Sequence, residues 1–308
     1  MGINIFYTGT NPEPFAIQNG ILNSSVASIP AKIEEQCACV AQDCERNLTV
    51  YGSLTSNEDR DNDKTSFLYR VMSLNDTAQL KLYKSGVETA TLDNNNYGTF
   101  YNLGTLGTGE QLLYIGYLIE WKEVLAQHGV GVYTIKADLT QFGNAVTIES
   151  PNYLLKNYSA DDADGSVKIV TYQNGNIERS AFDYTDLNWY QQIRINGILW
   201  NKQAEYITDT YQTSSRSITQ IQDSIEYTYD LQVEFVQDSV SQFIIENNIL
   251  ANEIYISDYN LTNTSFYNEI PLAVKEISQT TELYYYNGRS HVIQFTDRVQ
   301  NIIKRNYK

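Results

Sequence analysis

Apolar and polar residues alternate along much of this chain with a period of two, the pattern of half-buried β-strands. Leu80-Lys81-Leu82-Tyr83, Leu231-Gln232-Val233-Glu234-Phe235 and Ile254-Tyr255-Ile256 read this way. Val167-Lys168-Ile169-Val170-Thr171-Tyr172 alternates in part and is rich in β-branched residues. Turn dipeptides separate such runs. Asn174-Gly175 and Asn287-Gly288 support the positive φ angles of type I′ turns and predict hairpins, with Asn196-Gly197 and Asp164-Gly165 as weaker cases.

Two segments switch to a helical period. Trp121, Val124 and Leu125 fall at i, i+3 and i+4, and Gly129 stands where a helix C′ residue is wanted. Ser239 and Gln242 form a capping box ahead of Phe243, Ile244 and Leu250, predicting a helix near 239–250. The small, polar, acidic stretch Asn157–Gly165 has the composition of a linker. The pattern as a whole predicts a mainly β fold. It divides into two β-rich, sandwich-like domains, 1–160 and 161–308, with two short helices.

Composition narrows the chemistry. The chain has 308 residues and a net charge of −16, which argues against gripping nucleic acid or anionic lipid through broad electrostatics. A hydrophobic fraction of 42% is enough for real cores, although 25 tyrosines supply much of it. No apolar run approaches the roughly 18 residues needed to span a bilayer. Met1–Tyr7 does not read as a secretory signal.

Candidate chemical groups are few. Cys37, Cys39 and Cys44 have C-x-C-x4-C spacing, unlike the paired C-x2-C of structural zinc sites, and read as free thiols. Asp59-Arg60-Asp61-Asn62-Asp63 looks like the first half of a calcium loop, but Lys64 and Arg70 replace the glycine and the closing glutamate. The expectation here is a solvated hairpin tip between Leu54 and Phe67, with a looser cation loop as the alternative. Asp161, Asp162 and Asp164 read as linker. His128 and His291 are the only histidines available as a catalytic base, and both read as structural. The Gly-rich run Leu103–Gly109 lacks the lysine of a phosphate-binding loop. Nothing in the spacing of the 37 acids selects a pair for glycoside hydrolysis. We therefore assign no catalytic, cofactor or metal residues. Tyr227, Tyr229, Tyr255, Tyr259 and Tyr284-Tyr285-Tyr286 suit cross-strand packing and protein interfaces about equally.

Two stretches carry a resemblance. In the first, Tyr117-Leu118-Ile119-Glu120-Trp121-Lys122-Glu123-Val124-Leu125 is followed by Gly129-Val130-Gly131-Val132-Tyr133. In the second, Tyr229-Asp230-Leu231 leads through the helix after Asp238 to Asn252–Asn260, ending in Asp258-Tyr259-Asn260. Both resemble segments of neck and tail structural proteins of tailed phages infecting Bacteroidota, crAss-like phages in particular. Arg289–Lys308 is similar to the final strand of such proteins. The resemblance implies a virion protein without enzymatic activity, a subunit of a ring or hub in the neck or tail. Its implied partners are further copies of itself and other neck and tail proteins: portal, adaptor, tail hub or fibres. No membrane or specific nucleic-acid partner is expected. The implied location is the virion, after assembly in the cytoplasm of the infected bacterium. In such a ring, a lumen rich in Asp and Glu would let DNA pass without sticking. A receptor- or glycan-binding fibre or decoration module is the alternative, with a carbohydrate-active enzyme behind it.

Overall fold

A computed structural model describes residues 26–28, 32–33, 47–71, 77–93, 97–103, 113–141, 144–150, 152–174, 189–212, 214, 216, 218–237, 250–262, 268–281, 288–297 and 305–306. The chain is mainly β, as the alternation predicts, and its strands group into two β-rich units. The first unit comprises β1 (Val26–Ser28), β2 (Lys32–Ile33), β3 (Asn47–Gly52), β4 (Lys64–Val71), β5 (Ala78–Lys84), β6 (Val87–Leu92), β7 (Gly98–Leu103), β8 (Leu113–Glu120), helix α1 (Trp121–His128), β9 (Gly131–Gln141), β10 (Asn144–Glu149) and β11 (Asn152–Asn157). Helix α2 (Ala160–Ala163) leads to the second unit: β12 (Ser166–Gln173), β13 (Trp189–Gln212), β14 (Ile218–Gln237), β15 (Glu253–Asp258), β16 (Ile270–Thr281), β17 (Gly288–Asp297) and β18 (Arg305–Asn306).

The first unit is a sandwich. One sheet runs β2-β3-β11-β9-β5-β6 with β10 beside β9; the other runs β1-β4-β8-β7. Leu82, Ile135 and Leu155 from the first sheet meet Phe67, Tyr117 and Ile119 from the second in one core. Helix α1 closes its end. Trp121, Val124 and Leu125 are buried, and Gly129 ends the helix at φ 73°, where a side chain is disfavoured. Trp121 is fully buried, lies 5.0 Å from the Tyr153 ring, and donates its indole N–H to Thr65 Oγ1 at 2.8 Å.

The second unit closes on itself. Strands run β13-β12-β15-β16-β17-β14, and β14 pairs back onto β13, making a six-stranded antiparallel barrel. Alternate residues fill the interior, including Ile169, Ile193, Leu231, Ile256, Ile293 and Phe295. Closure removes the open edges that a small sheet would expose. Strands β13 and β14 outgrow the barrel, at 24 and 20 residues. Beyond a bulge after Trp200 they continue as a ribbon, paired from Gln203 and Thr228 out to Gln212 and Ile218, with β18 added beside β14 at Gln222 and Asp223.

Asn196-Gly197 is not a turn. It lies inside β13, where Gly197 pairs with Val233, and a Cβ on Gly197 would meet the Gln232 carbonyl oxygen at 2.6 Å. This glycine serves close strand approach rather than chain reversal. Asp164-Gly165 does turn, with Gly165 at φ 72°. The expected linker contains α2, capped by Ser159 accepting from the Asp162 N–H, and Ala163 is buried. The helix expected near 239–250 and the turns after Asn174 and before Gly288 lie outside the described residues, apart from Leu250. Among the described residues, no helix is long and apolar enough to cross a membrane.

Replacing Trp121 with Ala removes the largest side chain of the sandwich core and strands the Thr65 hydroxyl. The expected loss is about 3–5 kcal/mol in urea unfolding. A loss under about 1 kcal/mol would contradict this packing.

Candidate functional site

The polar centre of the molecule lies where the sandwich meets the outer face of the barrel. It begins with the loop between β3 and β4. Short polar side chains brace that loop from within. Asn62 accepts the Ser53 N–H through Oδ1 at 2.8 Å and donates Nδ2 to the Ser56 and Glu58 carbonyls. A 3-10 turn spans Asp59–Asp61. The loop delivers Asp63, completely buried, into the junction. Its Oδ2 accepts the Tyr51 N–H at 3.0 Å, and its carbonyl accepts the Trp121 N–H at 3.1 Å, so it is fixed by β3 and by the start of α1.

The barrel meets this carboxylate with two cations. Lys168 on β12 and Arg194 on β13 are register partners, and both are essentially fully buried. Like charges directly opposite on adjacent strands repel. Asp63 compensates. Arg194 grips it as a fork, Nη2 to Oδ1 at 2.7 Å and Nε to Oδ2 at 3.1 Å. Gln192 Nε2 donates to Oδ1 at 2.9 Å. The Lys168 ammonium lies 4.0 Å from Oδ1 and donates to the carbonyls of Asp59 and Arg60.

Tyrosines line the ion cluster. The Arg194 guanidinium sits 4.2 Å from the Tyr259 ring centre and 5.2 Å from that of Tyr51. The Tyr259 hydroxyl donates to the Arg60 carbonyl at 2.5 Å, and that of Tyr51 to the Asp162 carbonyl at 2.6 Å. The neighbouring Asp258 and Asn260 tie the barrel internally. Asp258 accepts the Leu199 N–H at 3.1 Å, and Asn260 donates to the Gly197 carbonyl at 2.9 Å.

Burial alone would raise the Asp63 carboxyl, but Arg194, Lys168 and the hydrogen bonds outweigh it and hold the group below the ordinary carboxylate value. Burial dominates at Lys168 and, with Arg194 opposite, lowers the ammonium to about 8 against the pull of Asp63. Burial also raises Tyr190 well above an ordinary phenol and Tyr259 to about 12.

Beside the cluster, the same barrel face carries a pocket of about 380 Å³, within the range of small-ligand sites. Its walls include Tyr172, Tyr190 and Tyr255, with Asp59, Glu253 and Glu269 at its edges and Lys168 and Val170 completing the lining. Tyr172 has one ring on each side. Tyr190 lies 5.6 Å away at 76° and Tyr255 5.9 Å away at 86°. The Tyr255 hydroxyl donates to Glu253 at 2.9 Å, and Asp59 pairs with Lys64 at 2.9 Å.

The solvated tip expected between Leu54 and Phe67 holds for its first part only. Asp59 is exposed, but Asn62 and Asp63 are buried. Their oxygens are occupied by protein donors, which also removes them from any calcium-loop role. Among the described residues, no group of three or more His, Cys, Asp or Glu is placed to hold a metal ion. His128 Nε2 shares a 2.7 Å hydrogen bond with the Tyr97 hydroxyl, and His291 is buried on β17. Tyr259 and Tyr255 reach the cluster and the pocket; Tyr229 is in the barrel core and Tyr227 is on the surface. Cys37, Cys39, Cys44, Tyr284–Tyr286 and Gly104–Gly109 lie outside the described residues. Lys168 and Arg194 escaped notice in the sequence. The signal was a single cation inside each of two apolar runs, Val167-Lys168-Ile169 and Ile193-Arg194-Ile195. No protein-family model matches the chain, and no curated protein does.

Two predictions test the cluster. Asp63→Asn leaves Arg194 buried without its counter-ion and is expected to cost about 3–5 kcal/mol in urea unfolding; a cost below about 1 kcal/mol would contradict the assignment. For Lys168, the folded chain releases its proton near pH 8 while the unfolded chain holds it to about 10.5. The unfolded state thus binds more protons in that window, and stability rises with pH by about 1 kcal/mol between pH 7 and 9. Buried tyrosines act against this rise only near pH 10. Lys168→Met is expected to flatten the rise, and an unchanged pH profile in that variant would refute the role given to Lys168.

Proposed function

We propose that this chain is a structural subunit of a phage virion, assembling through protein interfaces into a ring or hub of the neck or tail. The observation that carries the proposal is the β13–β14 ribbon. Past the barrel, its pairs from Ile207–Ser224 to Gln212–Ile218, flanked by β18 at Gln222 and Asp223, form an arm of roughly 20 Å at about 3.3 Å per residue. A ring requires one surface of a subunit to meet a different surface on its neighbour, and a projecting arm supplies the reaching half of such a contact. The rest of the molecule suits that use. The ion cluster joins sandwich and barrel through buried contacts, so force on the arm is borne by both. The resemblance of the two segments described above gives the class of assembly. The proposal assigns no enzymatic role.

Further copies of the chain, with the portal, adaptor, hub or fibre proteins of the same virion, are the proposed partners, and the virion is the proposed location. A second reading, a receptor- or glycan-binding module, is favoured by exposed aromatics near the root of the arm. Trp200 and Tyr206 are 45% and 55% exposed, and Tyr227 lies on the same ribbon with Lys202 over its ring. Aromatic faces of this kind stack on sugars.

Electron microscopy of the virion tests the first reading. Density for this chain is expected as a closed ring at the neck or tail, with the ribbon touching the next subunit. Virions lacking the chain at both places would overturn it. Shortening the ribbon beyond Thr210 and Gln220, which spares the β18 pairing at Gln222 and Asp223, is expected to leave the folded subunit intact and abolish ring assembly; rings formed normally by that variant would remove the arm from the account.

A further inference from the structure

The pocket beside the ion cluster has chemistry that the proposed assembly role does not use. Its wall is a box of crossed rings, with Tyr190 and Tyr255 each nearly perpendicular to Tyr172. Crossed rings around one partly open volume can turn their negative faces toward a compact organic cation, while their edges are electropositive. A guanidinium stacks flat on a single ring, whereas an ammonium is a point charge that suits a box. The carboxylates point to the same sign of charge. Glu253, Glu269 and Asp59 all line the pocket, Asp59 already paired with Lys64 and Glu253 accepting the Tyr255 hydroxyl. Glu269 is exposed, and its carboxylate makes no hydrogen bond or ion pair among the described residues. Its backbone is held at φ 47°, with its N–H on Ser257 Oγ.

Among the described lining residues Lys168 is the only cation, and it is already engaged; Lys64, beside the lining, is held by Asp59 with its ammonium 5.9 Å from the Tyr190 ring centre. The Lys168 ammonium rests on the Asp59 and Arg60 carbonyls beside Asp63, and its side chain is 1% exposed. It closes the pocket without offering a free charge to it. Val170 supplies apolar surface for an aliphatic stem. We infer that this pocket binds a primary alkylammonium carried on an aliphatic stem, the group shared by a lysine side chain and a free diamine.

Calorimetric titration of the full-length chain at low ionic strength tests the inference with three probes: cadaverine, Nα-acetyl-lysine methylamide, and the uncharged norleucine counterpart of the second. Saturable binding is expected for at least one amine and not for the norleucine compound, weakening as salt is added. Glu269→Gln, at an exposed position that leaves the fold intact, is expected to weaken binding about fivefold, and Tyr172→Ala about tenfold. Binding of the lysine amide alone identifies a protein-borne lysine as the source; binding of cadaverine alone identifies a free amine; binding of both with the same response to Glu269→Gln supports the shared chemistry. No saturable binding, equal binding of the norleucine compound, or indifference to Glu269→Gln would overturn the inference.

Discussion

The fold depends on one buried charge. Lys168 and Arg194 stand opposite each other on adjacent barrel strands with no access to water, which a barrel alone cannot tolerate. Their counter-ion comes from the sandwich. Asp63 is itself fixed through Tyr51 on β3 and through the N–H of Trp121, so the carboxylate is tied at once to a strand, to the start of α1 and to the barrel. Neither unit satisfies its own buried charges. The junction is therefore part of each unit's folding problem, and a hydrophobic surface of equal area would not impose the same register.

The pocket follows from that geometry. The sandwich covers the barrel face over Lys168, Gln192 and Arg194, and the β12 strand there is buried on both sides. Farther along the same face, side chains alternate outward as Val170, Tyr172 and Tyr190, and the loop at Asp59 only overhangs them. A concave space lined by rings and acids is what remains where coverage stops. The ribbon arises from the opposite tendency, two strands that continue after the barrel has closed.

Much of the fold was legible in the sequence because it rests on local periodicity. The alternation in Leu231–Phe235 and Ile254–Ile256 and the spacing of Trp121, Val124, Leu125 and Gly129 each specify an element without reference to anything distant. Closure of the barrel was not legible, since pairing β14 back onto β13 is a long-range event that no period encodes. Asn196-Gly197 misled because the dipeptide favours a turn locally while close approach to Gln232 demands the glycine for a different reason. The junction was the least legible. Asp63 sits in a loop whose composition is that of a solvated tip, and its burial is set by partners some 130 positions away. Lone cations within apolar strands were the one trace left in the chain, and they acquire meaning only once the acid that meets them is known.

Differential scanning calorimetry tests most directly whether the buried cluster makes sandwich and barrel one body. The account predicts a single unfolding transition in which the calorimetric and van't Hoff enthalpies agree, because neither unit can unfold without exposing the other's uncompensated charge. Two separable transitions, one for each unit, would contradict it.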